Sequence, residues 1–121
     1  MTPATFPGVV PLENLKAFAP DRAGSRTVFE SDSISIIVRC WEPGQRTRRH
    51  FHVVSDNVIV VLEGQGTVRL GDGEPVTVGP LNFIRVPKGT PHEIVNASGQ
   101  RLVNVHIYSP KLESADVVPL P

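Results

Sequence analysis

Three of the four histidines stand where their imidazoles could act together on one ligand. His50 and His52 are separated only by Phe51, and His92 opens another predicted strand. Alternate residues of a β-strand project from the same face, so the His50 and His52 side chains are expected to point the same way. Two adjacent imidazoles can chelate one metal ion, with nitrogen–metal distances of about 2.0–2.1 Å. The pair alone is equally compatible with two solvated histidines on an exposed strand.

Short predicted strands must position these histidines. Twelve prolines and ten glycines divide the chain into short segments, several of them rich in β-branched residues, and Gly71-Asp72-Gly73 is typical of a hairpin turn. The segments cover residues 33–41, 50–54, 58–64, 66–70, 74–79, 82–87, 92–96 and 101–108. Seven or eight strands with short turns and almost no helix predict an all-β sandwich or barrel.

The composition excludes several classes of protein. The 121 residues fit one domain, and twelve basic residues balance twelve acidic ones, which gives no support for a nucleic-acid partner. No apolar run approaches the roughly 20 residues of a membrane span, and the first residues lack the pattern of a secretory signal. Cys40 is the single cysteine, which excludes an internal disulfide framework. We therefore expect a cytoplasmic protein with a reduced thiol and no membrane partner.

Proline-rich segments flank the predicted strands at both ends. Pro3, Pro7, Pro11 and Pro20 fall within the first twenty residues, and two further prolines end the chain. We interpret residues 1–20 as an extended N-terminal arm, residues 21–110 as the barrel domain and residues 111–121 as a C-terminal tail. Such segments could cover open sheet edges that would otherwise invite uncontrolled pairing.

Two segments of the chain resemble the two sequence motifs of the cupin superfamily. The first motif has a glycine, five residues, His-x-His, three or four residues, a glutamate, six residues and a glycine. The second contains Pro-x-Gly, two residues, a histidine, three residues and an asparagine. The matching residues are Gly44, His50, His52 and Gly64 in the first segment and Pro87, Gly89, His92 and Asn96 in the second. The resemblance spans about residues 44–96 and implies a small cupin-like jelly-roll β-barrel that forms a homodimer.

The resemblance further implies that His50, His52 and His92 bind one divalent transition metal inside the barrel. The motif would add a glutamate as fourth ligand, and this chain departs from it there. Counting back six residues from Gly64 places Asn57 at the glutamate position, whereas counting forward three residues from the histidine pair leads to Asp56. The site is therefore three histidines with water or three histidines with a displaced Asp56, and we favour the first.

Such a centre suits small anionic ligands. Imidazoles bind iron, nickel, copper, zinc, cobalt or manganese, and the sequence does not choose among these ions. Three neutral ligands leave the charge of the metal uncompensated, which favours a carboxylate, an enolate or hydroxide. We expect a metal-dependent oxidoreductase of the dioxygenase type that acts on a small anionic or enolisable substrate. The alternative is a non-catalytic cupin that binds a small ligand or metal. A sugar isomerase-type cupin is weaker, because the sequence offers no further acid–base pair.

Two more residues are candidates for substrate binding. Arg48 has the strand parity of the histidine pair, so its guanidinium could face the barrel and pair with a substrate carboxylate; the alternative is an arginine at the rim. His106 lies on the last predicted strand, opposite to Val103, Val105 and Ile107, which the pattern indicates as the core face. The face of His106 could line the pocket or a dimer surface.

Overall fold

The computed structural model describes residues 6–121, so the start of the predicted arm, including Pro3, lies outside it. Within this range the chain forms short antiparallel strands with a 3₁₀ turn at Leu12–Leu15 and another at Ser114–Asp116. The strands are β1 (Gly24–Glu30), β2 (Ser35–Trp41), β3 (His50–His52), β4 (Asp56–Glu63), β5 (Gly66–Leu70), β6 (Val76–Val78), β7 (Phe83–Val86), β8 (His92–Val95), β9 (Leu102–Ser109) and β10 (Val117–Pro119). None of the helical segments described could span a bilayer.

The strands pair into two five-stranded antiparallel sheets. The first has the order β1-β2-β9-β4-β7 and the second has the order β10-β3-β8-β5-β6. Neighbours such as β2 and β9 or β3 and β8 are far apart in the sequence, so the chain crosses repeatedly between the sheets. The predicted fold was an all-β jelly-roll barrel, and the described residues form the jelly roll as two sheets rather than one closed barrel.

The predicted segments overlap the eight strands from β2 to β9. Two strands were not predicted, and both lie at sheet edges. Strand β1 has mostly exposed side chains, so it lacks the apolar alternation that reveals a half-buried strand. Strand β10 has three residues and ends at Pro119, which sequence rules disfavour within a strand.

The main hydrophobic core lies between the two sheets. Inward-facing positions alternate along β4 and β9, as the two-residue period of a strand requires. The buried residues of this cluster are Trp41, Ile59, Val61, Val68, Ile84, Val86, Ile94 and Leu102. Truncating a core residue of this size to alanine generally costs about 2–5 kcal/mol of unfolding free energy, so the cluster is a principal source of stability.

A second apolar cluster covers the outer face of the first sheet. Val38, Cys40 and Val103 are buried there against Leu12, Leu15 and Phe18 from the N-terminal segment. The sequence pattern therefore gave a wrong prediction of which face of β9 points into the main core. Val103 and Val105 pack in this outer cluster, whereas Leu102, Asn104, His106 and Tyr108 are buried on the alternate face, towards the other sheet.

The C-terminal segment pairs with the strand that carries the histidine pair. Val117 of β10 is the partner of His52, and Pro119 is the partner of His50. The 3₁₀ turn before β10 buries Asp116. The division into arm, barrel and tail stays a prediction, but residues 114–119 lie directly beside β3.

Gly64, the last glycine of the first motif, ends β4 in a conformation that only glycine adopts easily. Its φ angle is +79°, and an added Cβ would lie 2.2 Å from the carbonyl oxygen of Arg101. A left-handed conformation costs a non-glycine residue about 1–2 kcal/mol, and the overlap would force a backbone shift in addition.

We expect Gly64→Ala to lower the free energy of unfolding by about 3 kcal/mol, measured by urea denaturation, because strain and overlap add. Gly71→Ala is the control for the backbone angle alone, since Gly71 has φ +55° but open space around it. Gly99→Ala meets neither problem and should be nearly neutral. Equal losses for Gly64→Ala and Gly71→Ala would show that the contact with Arg101 is unimportant.

Candidate metal centre

Three histidines from two neighbouring strands meet at one place. His50 and His52 lie on β3, His92 begins β8, and His50 and His92 are direct partners across the two strands. One ring nitrogen from each residue lies within 4.8 Å of the others. The ring centroid of His50 is 4.3 Å from that of His92 and 5.2 Å from that of His52. These three side chains could together hold a metal ion.

Backbone carbonyls orient two of these imidazoles. Nδ1 of His50 lies 2.7 Å from the carbonyl oxygen of Arg48, and Nδ1 of His92 lies 2.9 Å from that of Thr90. A carbonyl oxygen only accepts hydrogen bonds, so Nδ1 carries the proton in both rings and Nε2 keeps its lone pair. Metal-binding histidines are typically oriented by such a hydrogen bond from the nitrogen that does not bind the metal.

A buried carboxylate orients the third imidazole. Nδ1 of His52 lies 3.2 Å from Oδ2 of Asp116, and Oδ1 of Asp116 accepts from the backbone N–H groups of Val54 and Ser55. Burial raises the pKa of the Asp116 carboxyl, but the hydrogen bonds from Val54 and Ser55 outweigh it and bring the pKa below its usual value. Burial lowers the pKa of His52, so the contact is a neutral imidazole donating to a carboxylate rather than an ion pair.

Asp116 was not predicted from the sequence. It lies 64 positions from His52, in a segment that matches neither motif. The one sequence feature that could have indicated its role is that it is the single acidic residue in the otherwise apolar segment from Ala115 to Leu120.

The state of Nε2 of His52 indicates whether the three histidines fit a metal ion. Nε2 of His52 is buried and has no hydrogen-bond partner among residues 6–121. An unsatisfied buried polar atom costs about 1–3 kcal/mol, and native proteins rarely leave one without a function or a ligand. Three Nε2 lone pairs on rings held through Nδ1 form a donor set that suits a divalent transition metal, so the residues fit the ion.

Burial favours the neutral form of two of these imidazoles, those of His52 and His92. Burial lowers the pKa of His92 to about 4, and burial also lowers the pKa of His52. A proton and a metal ion compete for the same lone pair. Rings that are already neutral in mildly acidic solution can therefore bind a metal over a wider range of pH.

The glycine turn of the second motif positions two of the histidines. Thr90 N–H donates to the carbonyl oxygen of Pro87 over 3.1 Å, and Gly89 between them has φ +81°, as the third residue of a type II turn requires. Gly89 N–H donates to the carbonyl oxygen of His52 over 2.7 Å. The same turn presents the Thr90 carbonyl to His92, so it connects both halves of the site.

Asn96, the last residue of the second motif, has a structural role. Its side-chain Nδ2 donates to the carbonyl oxygens of Trp41, at 3.2 Å, and Gln100, at 2.8 Å. Its own backbone carbonyl accepts from Gly44 N–H at 2.8 Å. These bonds join the end of β8 to the segment that leads into β3.

The two candidates for the fourth ligand lie in different surroundings. Asp56 is exposed, and its Oδ1 accepts from the backbone N–H of Lys88 at 2.9 Å. Asn57 is buried opposite Tyr108, and neither atom of its amide has a hydrogen-bond partner within the described residues. The three histidines form their cluster without Asp56.

A cavity of about 290 Å³ opens beside the three histidines. The other lining residues are Arg22, Ala23, Arg39, Trp41, Arg46, Thr47, Ile94, His106, Tyr108, Leu112 and Val117. His106 lines the cavity, and its role in substrate binding stays a prediction. Arg48 does not line it; its side chain is exposed, and its Nε donates to the carbonyl oxygen of Leu120 at 3.2 Å.

The sequence profile of the cupin domain matches residues 37–108, which is more than half of the chain, and the chain belongs to the cupin family. Among solved structures, TT1209 from Thermus thermophilus is 28% identical, with a TM-score of 0.81 over 86% of this chain and 98% of that one. An uncharacterized conserved protein with a double-stranded β-helix domain from Klebsiella pneumoniae is 16% identical, with a TM-score of 0.82 over 93% and 96%. The latter shows the fold alone.

A third structure, from Acidithiobacillus ferrooxidans, is described provisionally as that of a sugar phosphate isomerase. It is 26% identical, with a TM-score of 0.59 over 64% of this chain and 50% of that one. The match therefore extends over only part of both proteins.

Replacing His50 and His52 together by alanine should abolish stoichiometric metal, because two of three nitrogen donors are lost. Metal content after dialysis, measured by inductively coupled plasma mass spectrometry, checks this. His106→Gln is the matched control, since His106 lines the same cavity but both of its ring nitrogens bond to other side chains. Metal retained in the double variant would contradict the three-histidine assignment.

Proposed function

We propose that this protein is a metal-dependent cupin enzyme of the oxygenase type, acting on a small anionic or enolisable substrate. One observation carries the proposal. Three imidazoles held through Nδ1 open onto a cavity lined by three arginines and by no aspartate or glutamate of residues 6–121. A centre with neutral ligands and cationic walls favours an anion.

The cavity also sets the size of the substrate. Its volume of about 290 Å³ lies at the lower limit of ligand pockets in general, about 300–1,000 Å³. Trp41, Ile94, Leu112 and Val117 supply apolar wall. Apolar walls lower the local dielectric and strengthen the attraction between a charged substrate and the residues that bind it.

His50, His52 and His92 would hold the metal ion, and Asp116 would keep His52 in the tautomer that leaves Nε2 free. When bound, a redox-active ion such as iron or copper supplies Lewis acidity and the one-electron chemistry that oxygenases need. The cationic wall would orient the anionic group of the substrate, and the apolar wall would exclude water.

The non-catalytic cupin stays the alternative, because the same residues could hold a ligand without turning it over. The sugar isomerase is weaker, although the Acidithiobacillus structure mentioned above is described in that way. Proton transfer between sugar carbons needs an acid–base residue in the cavity. No described carboxylate lines it, and His106 already engages both nitrogens with Asn104 and Tyr108.

The homodimer, the cytoplasmic location and the absence of a nucleic-acid partner stay predictions. The balanced charge supports the last of these. The edge strands β1 and β7 of the first sheet are consistent with pairing between two copies, because an open edge presents unpaired backbone groups.

Metal analysis of the purified protein, followed by oxygen-electrode measurements with carboxylates, β-diketones and thiols, tests the proposed function. We expect a redox-active metal and oxygen uptake with at least one class of substrate. The His50→Ala/His52→Ala variant is the control and should lose both. Tight binding of a ligand without oxygen uptake or product formation would instead support the non-catalytic cupin.

The residue at the glutamate position gives a separate prediction. Asn57→Glu should tighten metal binding and weaken azide binding, because an added carboxylate would donate negative charge and fill an open position. Metal titration and thermal unfolding of the loaded protein check this. Asp56→Ala should leave metal content nearly unchanged, since Asp56 bonds to Lys88 instead. If Asp56→Ala strips the metal and Asn57→Glu changes neither property, Asp56 is the fourth ligand.

A further inference from the structure

Arg39 differs from the other two arginines of the cavity. It lies on β2 directly opposite Asn104 of β9, so its side chain shares the inward face, and it is half-buried. Arg46 is largely exposed and pairs with Glu93, whose Oε2 lies 3.2 Å from Nη2 of Arg46. Arg22 is exposed. Arg39 makes no ion pair with any acidic residue of the described chain.

A hydrogen-bond chain that begins at Trp41 fixes the groups around Arg39. The indole Nε1–H of Trp41 can only donate, and it lies 3.1 Å from Oδ1 of Asn104, so this atom is the amide oxygen. Nε2 of His106 lies 3.1 Å from the same oxygen and must therefore carry a proton. His106 is buried between Asn104 and Tyr108, two neutral partners, so its ring is neutral and its Nδ1 has a lone pair.

That lone pair determines the role of the Tyr108 hydroxyl. The hydroxyl oxygen lies 3.2 Å from Nδ1 of His106, so the O–H of Tyr108 donates to His106. The phenol oxygen then turns its lone pairs towards Nη2 of Arg39, which lies 3.5 Å away. Because its O–H already donates to His106, the Tyr108 oxygen can only accept a further hydrogen bond. A guanidinium, which only donates, is a suitable partner for it.

Tyr108 also contacts the metal centre. Its ring centroid is 5.3 Å from that of His52, in an edge-to-face arrangement. One phenol therefore packs against a metal-binding imidazole through its ring and approaches a guanidinium through its oxygen. A small molecule in the cavity can reach Arg39 and the histidines together.

We propose that Arg39 binds the carboxylate of the substrate and that Tyr108 is the positioning residue that orients its guanidinium. The inference rests on the proposed function, because it assumes that the other end of the substrate binds the metal ion. A half-buried guanidinium without a carboxylate partner recognises a carboxylate through two parallel hydrogen bonds. The substrate class is thus a short carboxylic acid with a second oxygen, such as a 2-oxo or 2-hydroxy acid. This role falls to Arg39 and not to Arg48, which lies outside the cavity.

Two anions of equal charge test the proposal on the cobalt-loaded protein. Azide needs only the metal, whereas pyruvate, a 2-oxo acid, has a carboxylate for Arg39 as well. Binding is followed by the visible absorption of cobalt. Arg39→Lys keeps the charge but loses the planar fork, so we expect pyruvate to bind at least tenfold more weakly and azide to change less than threefold. Tyr108→Phe should weaken pyruvate about threefold to tenfold and leave azide unchanged.

Arg48→Lys is the matched control, because the Arg48 side chain is exposed and lies outside the cavity, so neither anion should respond to it. Equal losses of pyruvate and azide in Arg39→Lys would overturn the proposal, since they would show a general effect of charge. So would a selective loss of pyruvate in Arg22→Lys but not in Arg39→Lys, or no pyruvate binding by wild-type protein that binds azide. Wild-type protein that holds no cobalt would overturn the proposed metal centre itself, a distinct result.

Discussion

The hydrogen bond between His52 and Asp116 joins the C-terminal segment of the folded domain to its candidate metal centre. Asp116 lies in the turn before β10, and β10 pairs with the strand that carries His52. Its carboxylate accepts hydrogen bonds from the backbone N–H groups of Val54 and Ser55 and from Nδ1 of His52. A buried carboxylate is tolerated only when such donors surround it. The position of the C-terminal segment and the tautomer of His52 therefore depend on each other.

A second constraint is the row of polar residues on the inner face of β9. Asn104, His106 and Tyr108 occupy positions that would be apolar in an ordinary sandwich, and each is buried. Burying polar groups is unfavourable unless they satisfy one another, and here Trp41 completes the chain of donors and acceptors. The row replaces part of the hydrophobic core with a fixed set of hydrogen bonds. Its last member, Tyr108, contacts both His52 of the candidate metal centre and Arg39.

Sequence patterns predicted the fold better than the site. The strands from β2 to β9 have local signals, and the resemblance to the two cupin motifs implied that the three histidines meet. The faces of β9 were predicted wrongly because both are buried, one in the outer cluster and one against the other sheet. Val103 and Val105 are more hydrophobic than the residues that face inward, so the pattern indicated the wrong face as the core. Asp116 and Arg39 were missed because their partners lie 64 and 69 positions away.

Charge balance connects these features. Imidazoles that bind a metal ion add no negative charge, and Asp116, the carboxylate that contacts His52, already accepts hydrogen bonds from three N–H donors. The glutamate of the cupin motif would contribute negative charge directly, and in this chain we expect the neutral Asn57 at that position. Arg39 adds positive charge to the same cavity without a carboxylate partner in the described chain. A divalent ion held by the three histidines and the half-buried Arg39 guanidinium would repel each other, so an anion bound between them would stabilise the occupied cavity. The substrate would supply the charge that the protein itself lacks, and metal and carboxylate binding would strengthen each other.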